Sequence, residues 1–112
     1  MNNANCEVIS NEKLLTVRIT GEIDHHTSKE IREIADKAII ETLPEKVVID
    51  LTGVTFTDSS ALGLVLGRKK TCDGIGVETS LRVPSGRVKT MFDLAGLDRI
   101  IKYEEKNNNE KR

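Results

Sequence analysis

Two serines follow an aspartate where a strand-forming run gives way to a helix-forming one, in Phe56-Thr57-Asp58-Ser59-Ser60-Ala61-Leu62-Gly63-Leu64. The first amides of a helix have no partner within it, and the helix dipole adds positive character there, so the spot accepts an anion. A phosphate on Ser59 or Ser60 would add about −1.5 to −2 charge at neutral pH. With Asp58 beside it, a partner fitted to a neutral hydroxyl would meet repulsion and a desolvation cost. The plainer reading is that Asp58 or Ser59 only caps the helix, a contribution of about 1 kcal/mol. Local chemistry favours the cap and does not choose between the serines.

Ser59, Gly63 and Gly67 recur every fourth residue and so line one helical face almost free of side chains. Each interior glycine costs roughly 1 kcal/mol relative to alanine. Either close packing on a neighbouring helix offsets that cost, or a partner protein or its nucleotide approaches the Ser59 hydroxyl, flanked by Leu62 and Arg68. The two readings stand level.

Gly21-Glu22-Ile23-Asp24-His25-His26-Thr27 carries two histidines and two carboxylates. Adjacent histidines usually point apart and a third ligand at fixed spacing is missing, so a surface loop is expected rather than a metal site. Leaving a strand and entering a helix, it should share a sheet edge with Asp58-Ser59. Asp50 ends a strand like a receiver aspartate, yet lacks the acidic pair that would hold magnesium. Ser59 has no G-x-S-x-G elbow or identifiable base. Asp73-Gly74-Ile75-Gly76 lacks the lysine and spacing of a phosphate loop. Neither catalysis nor a cofactor is expected.

The elements that must position these residues follow from periodicity. Leu15, Val17 and Ile19 alternate with polar residues over Lys13–Thr20, the pattern of a half-buried strand; a shorter strand over Cys6–Ser10 pairs with it through a turn at Asn11-Glu12. Thr27 to Glu30 has the form of a capping box. Behind it Ile31, Ile34, Ala35, Ala38 and Ile39 make one apolar stripe, ended by Pro44. Val47–Leu51 reads as a central strand covered on both faces, with Thr52–Thr57 as a connecting loop. A second helix spans about Ser59 to Cys72, with Gly74 a C′ residue. A weaker strand covers Val77–Val83. A third helix starts at Pro84-Ser85, with Val88, Met91, Phe92 and Ala95 inward and Gly96 at its end. Arg99–Tyr103 is a last strand or short helix. Residues 1–103 form one domain, and 104–112 a flexible charged tail. The order β-β-α-β-α-β-α implies an α/β fold, with sites where strands end and helices begin.

Composition narrows the function. The 112 residues suffice for one domain. A net charge of −1 and 3% aromatics argue against direct nucleic-acid binding. Cys6 and Cys72 lack metal-ligand neighbours, which suits a reduced cytoplasmic protein. The first residues lack the basic and apolar regions of a signal peptide, and no apolar stretch approaches a membrane span.

Leu15-Thr16-Val17-Arg18-Ile19-Thr20-Gly21-Glu22-Ile23-Asp24-His25-His26-Thr27 and Phe56-Thr57-Asp58-Ser59-Ser60-Ala61-Leu62-Gly63 resemble the STAS domain, and more narrowly the sporulation-type anti-sigma factor antagonists. Leu66-Gly67-Arg68 and Met91-Phe92-Asp93-Leu94-Ala95-Gly96-Leu97 continue the match, which spans about Glu7 to Tyr103. The resemblance implies a single STAS-like α/β domain with a mixed sheet of four to five strands packed with amphipathic helices. It implies a partner switch. The unphosphorylated protein binds an anti-sigma factor that is also an ATP-dependent serine kinase, freeing the sigma factor. Phosphorylation of the serine after the aspartate, here Ser59, ends binding, and a serine phosphatase restores it. The implied contact set is Glu22, Asp24, Thr27, Asp58, Ser59, Ser60, Leu62, Gly63, Gly67 and Arg68. Ala61 replaces a glycine of many relatives and should add a methyl near the contact. A STAS module of a stress-response complex, or one that senses a nucleotide or anion, are the alternatives.

Overall fold

Leu15, Val17 and Ile19 are buried, as their alternation requires, in a strand longer than the periodic run. The computed structural model describes residues 4–105. β1 (Asn5–Asn11) and β2 (Leu14–Ile23) form a hairpin whose turn is Glu12-Lys13, with Glu12 left-handed at φ 57°. Then come α1 (His25–Thr42), β3 (Lys46–Thr57), α2 (Ser60–Gly74), β4 (Glu78–Arg82) and α3 (Arg87–Leu94). A 3-10 turn (Leu97–Arg99) leads to β5 (Lys102–Tyr103). The strands lie side by side in chain order; the hairpin is antiparallel and each later pair parallel. Right-handed crossovers that step the same way put α1 and α2 on one face, where they pack together.

Both segments read as loops are strand. Gly21–Ile23 pairs with Val54–Thr57 in the parallel ladder, so each holds the other extended although neither has a strong strand pattern. The register slips between Arg18 and Thr20 and again between Gly21 and Glu22. At the first slip the strands come close: a Cβ on Gly53 would sit 2.7 Å from Thr20 Cγ2.

The helix ends also differ from the sequence reading. Asp24, not Thr27, is the N-cap of α1; the capping box is one turn earlier, with Thr27 at N3. Ile31, Ala35, Ala38 and Ile39 are buried, but Ile34 lies off the stripe and is exposed. Leu43, before Pro44, ends α1 in left-handed geometry at φ 44°. α2 begins at Ser60 and runs to Gly74, and the left-handed residue after it is Gly76. α3 starts at Arg87; Val88 and Phe92 are buried, while Ala95 lies beyond its end and is exposed.

Val47 to Leu51 are all buried, in two different environments. Val47, Ile49 and Leu51 join the apolar core with Leu15, Val17 and Leu81. Register places Arg18, Asp50 and Arg82 side by side on the opposite face. There a row of alternating charge crosses the sheet. Arg18 reaches Glu7 (3.9 Å) and Asp50 (3.5 Å), and Arg82 reaches Asp50 (3.7 Å) and Glu104 (3.8 Å). Asp50 therefore sits within the strand, 0% exposed, as the hub of an ion network. Glu104, assigned to the tail by the sequence, is tied down: its N–H donates to Leu81 O at 2.8 Å and its carboxylate pairs with Lys46. Residues 106–112 of the expected tail lie outside the described residues.

Candidate functional site

Parallel pairing of β2 with β3 brings both strand ends to one rim. Ile23 lies opposite Thr57, and the Asp58 N–H donates to Ile23 O at 3.2 Å. The starts of α1 and α2 are thus neighbours, as expected for Asp24 and Asp58-Ser59. Each start is organised by an aspartate. Asp24 accepts from the Thr27 N–H at 2.8 Å, and its own N–H donates to Thr27 Oγ1 at 2.9 Å. Asp58 Oδ1 accepts from the Ser60 N–H at 2.8 Å and from the Ser60 hydroxyl at 2.5 Å.

These bonds set the charge of the rim. Donation from the Thr27 amide holds the Asp24 carboxyl below the usual carboxylate range. The Ser60 hydroxyl and then its amide hold Asp58 low, although the nearby Asp24 charge pushes it up. Both are carboxylates at neutral pH.

Ser59 occupies the N-cap position of α2 with helical backbone angles (φ −65°, ψ −11°), and its side chain makes no capping bond. It is exposed. The sequence expectation that free amides at this helix mouth would welcome an anion needs correction. The Ser60 amide is taken by Asp58 Oδ1, and the amides of Ala61 and Leu62 donate to the carbonyls of Asp58 and Ser59 at 3.3 and 3.0 Å. A charge placed on Ser59 would face outward beside two carboxylates.

The other predicted contact residues divide. Glu22 and Gly63 are exposed, and Leu62 and Gly67 are partly so. Gly63 and Gly67 have open space where a Cβ would stand, with nothing within 4 Å, so among the described residues no neighbouring helix packs closely on that face. Thr27 is 2% exposed and positions the α1 start from inside. Ala61 is buried in the core, so its methyl does not reach the surface. Arg68 is 7% exposed and does not flank the face. Its Nε lies 2.7 Å from Asp36 Oδ1, an ion pair without good hydrogen-bond alignment, and Nη1 donates to Leu64 O at 3.2 Å. It ties α2 to α1. The signal was present: Leu64, Arg68 and Cys72 are four residues apart and share the buried stripe.

Two features flanking the rim escaped the sequence reading. A cleft of about 360 Å³ between α1 and α2 is lined by His25, Lys29, Arg32, Ser60 and Gly63 among others. On the other side, a groove of about 490 Å³ between the end of β3 and α3 is lined by Phe56, Val88, Met91 and Leu94 among others. Cys6 and Cys72 are unpaired thiols; burial raises both, Cys6 to about 11. Among the described residues no three His, Cys, Asp or Glu side chains gather as a metal site, and no helix is long and apolar enough to cross a membrane.

This arrangement matches known proteins. The STAS domain model matches residues 5–109. The Anti-sigma F factor antagonist of Paenibacillus polymyxa is 36% identical over 99 residues, covering 88% of this chain and 85% of the relative. The solved structure of the anti-sigma factor antagonist SpoIIAA in its unphosphorylated form superposes with a TM-score of 0.80 at 27% identity, covering 96% of this chain and 92% of that one. The phosphorylated form of the Bacillus cell fate determinant SpoIIAA superposes with a TM-score of 0.74 at 26% identity, covering 96% of each chain. The sheet order, the paired helix starts and the exposed serine after an aspartate thus belong to a chain that is a member of the STAS domain family, among its anti-sigma factor antagonists.

Proposed function

We propose that this chain is a sporulation-type anti-sigma factor antagonist that works as a charge gate in the cytoplasm. Unphosphorylated, it docks on an anti-sigma factor and releases the sigma factor. The anti-sigma factor, acting as a serine kinase, transfers phosphate from ATP to Ser59 and the complex separates. A serine phosphatase resets it. The chain is a substrate and a binding partner, not an enzyme.

The observation that carries this reading is the exposed Ser59 hydroxyl, unused in capping, on a rim shared by Asp24 and Asp58. A phosphate would add about −1.5 to −2 charge where no amide of Ser60 to Leu62 is free to absorb it. The fold need not change, since this chain superposes on both the phosphorylated and the unphosphorylated SpoIIAA structures. The docking surface we assign comprises Glu22, Asp24, Asp58, Ser59, Leu62, Gly63 and Gly67. Ser60, Thr27 and Arg68 hold that surface in shape.

The test mixes the purified chain with ATP and the anti-sigma F factor of Paenibacillus polymyxa. Peptide mapping should place one phosphate on Ser59, and the modified chain should lose affinity. Equal affinity of the two forms would end this account. Tight binding of ATP to the chain alone would favour a sensing role.

A further inference from the structure

The β3–α3 groove lies immediately next to the switch turn. Thr55, Phe56 and Thr57 form one wall, and Asp58-Ser59 follows directly. Its other wall is α3, through Arg87, Val88, Thr90, Met91 and Leu94. Phe56 is 55% exposed and Leu94 85% exposed. The chain has only two phenylalanines, and one of them is left in solvent three residues before the acceptor serine. Phe56 and Leu94 thus leave apolar side chains in solvent on opposite walls of one groove, a shape that can take a partner's apolar side chain.

We propose that this groove is a second foothold for the same anti-sigma kinase, and that it receives an aliphatic side chain flanked by an acidic residue. The inference rests on the reading of Ser59 as the phospho-acceptor at a docking surface, because continuity with that surface selects the occupant. Charge adds to the argument: Arg87 at the groove has no ion-pair partner among the described residues, so an acidic neighbour on the incoming segment fits it. The segment Lys106-Asn107-Asn108-Asn109-Glu110-Lys111-Arg112 is a poor occupant, since it offers no apolar side chain. An apolar foothold does not sense the phosphate. It sets the baseline grip that the charge at Ser59 then overrides.

The experiment measures the affinity of the full chain for the Paenibacillus polymyxa anti-sigma F factor with a non-hydrolysable ATP analogue, before and after phosphorylation. Leu94→Ser removes a side chain that already lies in solvent, so its melting temperature should match the parent. Its Kd should rise about tenfold, the loss expected for one apolar anchor. Thr90→Trp, which fills the groove, should weaken binding as much. In both variants the ratio of phosphorylated to unphosphorylated Kd should equal that of the parent. If the parent shows no such ratio, the Ser59 reading fails. If the parent switches and both variants bind like the parent, the groove proposal alone is overturned. It is also overturned if the variants change only self-association in sedimentation, which would make the groove a contact between copies.

Discussion

Carboxylates do opposite work at two places in this domain. On the sheet face opposite the apolar core, Asp50 is fully buried between Arg18 and Arg82, and Glu104 closes the row. On the rim, Asp24 and Asp58 stand in solvent and bind backbone amides. Burial alone would raise the Asp50 carboxyl, but bonds from the Thr52 hydroxyl and amide, then the Arg82 and Arg18 charges, outweigh it and keep it low. Glu104 is kept low against burial by Lys46 and Ser80, then by Arg82. The buried network is paired within the fold, whereas the exposed pair leaves room for a further charge to change binding without changing the fold.

The sharpest way to break this contrast is Asp50→Ala. It would leave two guanidinium groups facing each other without their shared partner, and should cost about 3 kcal/mol in urea unfolding. A cost near zero would mean the row is decorative. Acid should act on the same groups. The folded pKa values of Asp50 and Glu104 are depressed, so their contribution is present at neutral pH and is lost as pH falls below the ordinary carboxylate range of about 4. Melting temperature should fall on acidification, and less so in Asp50→Ala.

On the rim the expected signature is reversed. Ser59→Asp should lower affinity for the anti-sigma kinase about tenfold or more while leaving the melting temperature native. Unfolding of that variant would defeat the surface-gate account. Gly63→Ala separates stability from contact: open space awaits the methyl, so the helix should gain about 1 kcal/mol. Gly63→Leu should fold and fail to bind. The smallest effect on stability is expected for Asp24→Ala, which removes the α1 cap yet keeps the Thr27 side chain in place and, as part of the assigned docking surface, should also weaken kinase binding. It should lower the melting temperature slightly, and hydrogen exchange should show fraying confined to the first turn of α1.

Sequence reasoning reached what local pattern encodes. The alternation of Leu15, Val17 and Ile19, the stripe of Ile31, Ala35, Ala38 and Ile39, and the α/β order all hold. It missed what non-local pairing decides. Gly21–Ile23 and Thr52–Thr57 look like loops because each is extended only by the neighbouring strand. Thr27 belongs to both patterns, as the expected cap and as the actual N3 residue, so the sequence points to a capping box one turn too late. Asp50 and Arg82 are 32 residues apart and meet only through sheet register. Phe56 and Leu94 come together through the placement of α3 at the end of β3, which no periodicity states.

The clasp between Asp58 and Ser60 carries a consequence for accuracy. Two hydroxyls stand next to each other, yet one is already committed as a donor at 2.5 Å. Esterifying Ser60 would destroy that bond and press a dianion against a carboxylate, loosening the first turn of the helix. Under the proposed phosphorylation of Ser59, transfer to the wrong hydroxyl is disfavoured by the substrate itself, and the enzyme adding the phosphate would need little discrimination of its own.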